Sequence, residues 1–237
     1  MGSTKLKDRI ALITGASRGI GRAVALKFAS EGAHVVALAR NALELESLDN
    51  EINKIGGSAT LVPLDIVDGV ALDRLAETLF DRYGRLDVLV GNAAILGTLS
   101  PMGHVASNVW DRVIEVNLTA NWRLIRSFDP LLRSSEAGRV LFVTSGVGHK
   151  VAPFWGPYAV SKAGLEMLVK IYAEETKKTD VRVNIVNPGA VRTAMRAAAM
   201  PGEDPAALLP PEAITDVFVD LSLPSCVRHG AVVGAQI

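Results

Sequence analysis

Tyr158 and Lys162 stand four residues apart in the run Tyr-Ala-Val-Ser-Lys. On a helix that interval puts a phenol and an ammonium on one face. A free tyrosine titrates near ~10 and is a poor acid–base group at neutral pH. A cation alongside favours the phenolate. At ~4 Å and an effective dielectric of ~20 the attraction is ~4 kcal/mol, enough to bring the titration down towards ~7 before desolvation is subtracted. Such a tyrosine can protonate the oxyanion formed when hydride reaches a carbonyl carbon, or deprotonate an alcohol in reverse. Ser145 follows the apolar run Val140–Thr144 and can hydrogen-bond the same oxygen. Asn117 lies inside a long helical stretch, where its amide competes with the backbone. It reads as holding a water or a kink rather than facing solvent.

A second constellation comes earlier. Thr14-Gly-Ala-Ser-Arg-Gly-Ile-Gly21 joins an apolar run to a helical stretch over residues 22–30. Gly15, Gly19 and Gly21 let the backbone turn sharply and approach a ligand, with Ser17, Arg18 and Ile20 between them. The free N–H groups of the helix start then face an anion, most simply a pyrophosphate. The motif stands between strand and helix, as a dinucleotide site requires. It lacks the Gly-Lys-Ser/Thr ending of a nucleoside-triphosphate loop. The next apolar run ends Ala37-Leu-Ala-Arg40, with no acid at its tip to take the ribose hydroxyls of NAD. Arg40 and Arg18 together can clamp a 2′-phosphate, which favours NADP with NAD possible. The competing reading of Arg40 is a solvated strand-end charge.

These groups need a scaffold. Short runs dense in Val, Ile and Leu fall at Ile10–Thr14, His34–Ala39, Thr60–Leu64, Leu86–Val90, Val140–Thr144, Val181–Val186 and Ala231–Val233. Continuous apolarity is how strands covered on both faces read. Between them lie segments of helical period, two of them long, at 107–133 and 156–178. The alternation predicts an α/β fold: a doubly wound, mostly parallel seven-stranded sheet with helices on both faces, wound right-handed, as one domain over 1–237. Residues 192–212 carry Pro201, Pro205, Pro210 and Pro211, too many for a long helix. That segment reads as a lid over a site, or else as a surface loop.

Composition excludes several classes. Twenty-five Lys and Arg balance 25 Asp and Glu, so there is no basic footprint for nucleic acid or an acidic membrane. The single cysteine, Cys226, can form no internal disulfide, and His34, His104 and His229 lack metal-ligand spacing. No apolar run is long enough to span a bilayer and no signal peptide is evident, so a reduced cytoplasmic setting is expected.

From residue 8 to about 189 the chain resembles the short-chain dehydrogenase/reductase family, in its compact single-domain form that includes the 3-oxoacyl-carrier-protein reductases. Thr14–Gly21 matches the cofactor loop, and Asn117, Ser145, Tyr158 and Lys162 match the catalytic tetrad. The resemblance implies that Asp65, with Ile66 after it, contacts adenine. Asn92 and Ala93 take the place of the family's Asn-Ala pair, and Pro188, Gly189, Val191 and Thr193 lie beside the nicotinamide. It further implies Tyr158 as general acid/base and Ser145 as the group orienting the carbonyl. Lys162 would lower the tyrosine's pKa and bind ribose, with Asn117 holding a relay water. Assembly as a homodimer or homotetramer through the two long helices is expected.

Three positions depart from the family. Gly91 and Ala94 flank Asn92-Ala93 where the family has Asn and Gly, and the C-terminal stretch lacks the usual final glycine pair. Leu96, Ser145, His149, Trp155 and Met195 are the expected substrate-pocket residues, suiting a small-molecule carbonyl or alcohol of apolar character. Two alternatives stand beside this reading: an NAD-specific dehydrogenase, and a dinucleotide-binding sensor without turnover.

Overall fold

The computed structural model describes residues 4–236. Seven strands form one parallel sheet: β1 Ile10–Thr14, β2 His34–Ala39, β3 Ser58–Pro63, β4 Val88–Gly91, β5 Arg139–Val143, β6 Arg182–Asn187 and β7 Val232–Gly234. Their order is β3-β2-β1-β4-β5-β6-β7. The chain winds outward from β1 to β3, crosses back to β4, and winds outward the other way. The reversal between β1 and β4 opens a crevice at the carboxyl ends of those strands, where open α/β sheets bind ligands.

The helices are α1 Gly19–Ser30, α2 Ala42–Lys54, α3 Gly69–Tyr83, α4 Ser107–Ile114, α5 Ala120–Arg133, α6 Gly156–Thr176, α7 Ala194–Ala199 and α8 Asp216–Ser222. They cover both faces because every central strand is apolar on both. β1 sends Ala11 and Ile13 into the cluster under α1, α2 and α8. Its alternate residues, Ile10 and Leu12, join the cluster under α3, α5 and α6. Below the sheet's other end, buried Asp87 takes Ile10 N at 2.9 Å and Ser135 Oγ at 2.5 Å.

Two expectations need refinement. The stretch over 107–133 is helical throughout but contains a π-turn, Glu115–Thr119, joining α4 to α5. β1 and β2 coincide with their apolar runs, and the other strands differ at their ends by one or two residues, most at β3 and β4. At β3 the His34 ring reaches Ser58 Oγ at 2.8 Å and Thr60 Oγ1 at 2.9 Å, drawing Ser58 into the ladder. Among the described residues no helix is long and apolar enough to cross a membrane.

Candidate active site

Steric necessity shapes the turn after β1. Gly15 has φ +65°, and a Cβ there would lie 2.9 Å from Asn92 Nδ2 and 3.0 Å from Ala93 Cα. A Cβ on Gly21 would come within 2.3 Å of the Gly15 carbonyl oxygen. Asn92 is the clamp: its Nδ2 donates to Thr14 O at 2.9 Å, while Thr14 Oγ1 accepts the N–H groups of Asn92 and Ala93 at 3.0 Å each. The departure at Gly91 has a packing cause. A Cβ on Gly91 would meet Phe142 Cδ1 at 2.2 Å, so the aromatic ring of β5 fills the space a side chain would need.

α1 begins without a side-chain cap at Arg18. By contrast, α2 and α3 begin at Asn41 and Asp68, whose side chains accept from Glu44 N and Ala71 N. Orphan N–H groups at a helix start attract an anion, and here that start lines a cleft of about 710 Å³ at the sheet's carboxyl edge. This size lies within the range of cofactor and small-molecule sites. Every residue expected to hold a dinucleotide lines the cleft except Gly21, whose place is against the Gly15 carbonyl.

At the cleft's β2 end Arg18 and Arg40 are exposed, and among the described residues neither has an ion-pair partner. Asp65 behaves otherwise. Its Oδ1 accepts from Val67 N at 3.3 Å and its Oδ2 pairs with Arg112 Nη2 at 2.9 Å. Arg112, on α4, also lines the cleft, and sequence reasoning missed it. Forty-seven positions separate it from its partner, so no local pattern marked it.

The other end is buried. Tyr158 is 7% exposed and Lys162 2%. Lys162 Nζ donates to Val143 O at 2.8 Å and lies 5.7 Å from the Tyr158 ring centroid. Burial pushes the Tyr158 phenol up to about 12, opposed by a hydrogen bond with Ser145. The expectation that Lys162 draws this pKa down is overturned. Desolvation is the dominant cause, and the Lys162 ammonium, which donates to the Val143 carbonyl, is itself pulled down to about 8 by burial, with Glu166 opposing. At neutral pH the phenol is held as an acid.

Asn117 forms the middle of the π-turn and does not line the cleft. Its Oδ1 accepts from Ile95 N and its Nδ2 donates to Ile95 O, both at 2.9 Å, and Nδ2 also donates to Ser161 Oγ at 3.0 Å. It ties the loop after β4 to α6 one turn from Tyr158. Its main-chain carbonyl accepts from Asn121 Nδ2 at 2.7 Å.

Leu96, Ser145, Trp155 and Met195 all line the cleft, with the Trp155 ring centroid 6.0 Å from that of Tyr158. His149 does not. Its ring is turned to Glu166 Oε1, 3.2 Å away, on the far side of the turn after Ser145. His34 and His229 are structural as well, the latter donating to Ala173 O at 2.7 Å and accepting from Val183 N at 3.1 Å. The segment 192–212 opens with the six-residue α7, capped by Thr193, and its prolines follow that helix, Pro205 and Pro211 each starting a short 3₁₀ turn. Arg196 and Glu203 join through two 2.5 Å hydrogen bonds, and Val191 bridges Leu209. Gln236 Nε2 donates to Pro188 O at 2.9 Å and Ala190 O at 2.8 Å, closing the floor below that segment.

The parallel seven-stranded sheet, the glycine turn and the Ser–Tyr–Lys corner on one cleft define a nucleotide-dependent oxidoreductase architecture. Residues 9–204 match the family model for short chain dehydrogenases, and the chain belongs to that family. It is 39% identical over 217 residues to the uncharacterized oxidoreductase YciK of Escherichia coli K12, covering 90% of this chain and 86% of that one. The 3-oxoacyl-[acyl-carrier-protein] reductase FabG of Thermotoga maritima is 35% identical, over 81% of this chain and 77% of its own. A short chain dehydrogenase from Shigella flexneri 2a, solved in complex with NADP, superposes with a TM-score of 0.94 at 37% identity and full coverage of both chains.

Proposed function

We propose that the protein is an NADP-dependent reductase of carbonyl compounds, or in reverse a dehydrogenase of secondary alcohols, with Tyr158 as its general acid/base. One observation carries the reading: the phenol of Tyr158, with Ser145 and Lys162, lines the same cleft as the uncapped glycine turn of α1. The residues present fit a dinucleotide. Gly15 and Gly19 leave bare backbone at the helix start, and Arg18 and Arg40 stand free for a 2′-phosphate. The Shigella relative's NADP supports the same choice.

Bound NADPH supplies the hydride. Ser145 Oγ orients the substrate carbonyl by hydrogen bonding, and the protonated Tyr158 hydroxyl gives its proton to that oxygen. The phenolate left behind is stabilised by the Lys162 ammonium a helical turn away. Asn117 fixes the distance between the β4 loop and α6 through its bonds to Ile95 and Ser161. Leu96, Trp155 and Met195 make the substrate end apolar, and residues 192–212 act as its lid. Trp122, Val160, Met167 and Ile171 are large apolar side chains exposed on α5 and α6, which supports assembly of copies through the two long helices.

A panel of apolar ketones, oxoacyl thioesters and sugars, assayed with NADPH and with NADH by loss of nicotinamide absorbance, tests the reading. Consumption of an apolar carbonyl with NADPH preferred is the expected result. Cofactor binding without consumption of any carbonyl would return the protein to the sensor class.

A further inference from the structure

One buried acid has no part in the chemistry above. Glu166 is 5% exposed and lies one turn beyond Lys162 on α6, as Lys162 lies one turn beyond Tyr158. Three residues of the turn after β5 converge on its Oε1. Thr144, the residue before Ser145, donates from Oγ1 at 2.7 Å. His149 approaches with Nδ1 at 3.2 Å from the surface end of the turn. Gly148 packs so closely that a Cβ there would lie 2.8 Å from Oε1, 3.1 Å from Thr144 Oγ1 and 3.2 Å from Lys162 Cβ. A carboxylate at this depth is costly unless its charge is used.

The groups facing it are few. On α6, Lys162 stands one turn before it, with its Nζ bonded to Val143 O rather than to the carboxylate, and Tyr158 stands a turn before that. The end of β5 presents the Val143 carbonyl at Lys162, and the next residue presents the Thr144 hydroxyl. The turn after Ser145 presents His149, and the π-turn presents to α6 the neutral Asn117–Ser161 bond and the apolar Leu118 side chain at Gly164. We propose that Glu166 is a positioning residue for proton transfer: its carboxylate keeps the buried Lys162 ammonium charged and fastens the Ser145-bearing turn to α6. The inference rests on the function proposed above. The directions of titration agree with it, since burial lowers Lys162 and Glu166 is the one group raising it.

Glu166→Gln separates the two roles. The amide oxygen can still accept from Thr144, whereas the charge is gone. With [15N]lysine-labelled protein, the Lys162 Nζ titration is expected to fall by about one pH unit or more in the variant. Because the charged lysine is the working form, the alkaline limb of kcat should move the same way. The ratio of kcat at pH about 6.5 to that at pH about 8.5 should then grow about tenfold, with little change in KM. An unmoved Nζ midpoint, or a kcat lowered equally at every pH, would overturn the proposal and leave Glu166 a packing residue. Should Glu166→Gln not fold, Glu166→Asp draws the same charge back by one methylene and must shift the midpoint in the same direction. If the wild type reduces no carbonyl, the functional reading fails while the Nζ titration still decides this one.

Discussion

The two ends of the cleft handle cations in opposite ways. At the β2 end, Arg18 and Arg40 stand exposed with no ion-pair partner among the described residues. At the β5 end, Lys162 is buried in the cleft wall, bonded to a carbonyl and depressed to about 8. Exposed guanidiniums cost the fold little and gain only when an anion arrives, which suits affinity and discrimination. A buried ammonium costs the fold at all times and is justified by what it does to a neighbour. On the proposed function, binding falls where it costs the fold little, and chemistry where the dielectric is low enough for one charge to matter.

The contrast can be broken at either end. Arg40→Asp, by replacing a cation with an anion at the phosphate end, should weaken NADPH about 100-fold while NADH changes little. Binding titrations with both cofactors check this, and equal losses would make Arg40 a general surface charge. At the buried end, linkage sets the sign. Lys162 has a folded pKa below its unfolded value, so the unfolded chain binds more protons between about pH 8 and 10 and stability rises across that window. Denaturant unfolding of the wild type, relative to Lys162→Met, should therefore gain about 2 kcal/mol from pH about 7.5 to about 10. A parallel pair of curves would mean that the lysine is hydrated. Between the two ends, Gly91→Ala should cost about 1 kcal/mol or more, because the Phe142 ring must move. The same unfolding measurement reads it, and cofactor affinity should follow only if Asn92 is displaced with it.

The two regions also differ in how far the amino-acid sequence revealed them. The glycine turn, the strand before it and Arg40 were legible because their signals are local: a continuous apolar run, residues without side chains, a charge at a strand tip. The phenol–ammonium pair was legible as a pair for the same reason, being one helical turn. Its electrostatics were not. Whether Tyr158 moves up or down depends on burial by Trp155 and the β5 edge, which i,i+4 spacing does not encode. The π-turn at Asn117 is likewise tertiary in origin, set by partners at Ile95 and Ser161. His149 lay within the correct loop yet faces Glu166, and Arg112 reaches the cleft from a helix that reads as ordinary.

Turnover by Tyr158→Phe, with NADPH affinity determined on the same preparation, tests the central claim most directly. Loss of the hydroxyl is expected to lower kcat by about 10²- to 10⁴-fold, the range of general acid–base catalysis, with the dissociation constant for NADPH within about threefold of wild type. A variant that reduces its carbonyl substrate at the wild-type rate would show that the proton comes from elsewhere and would contradict the account.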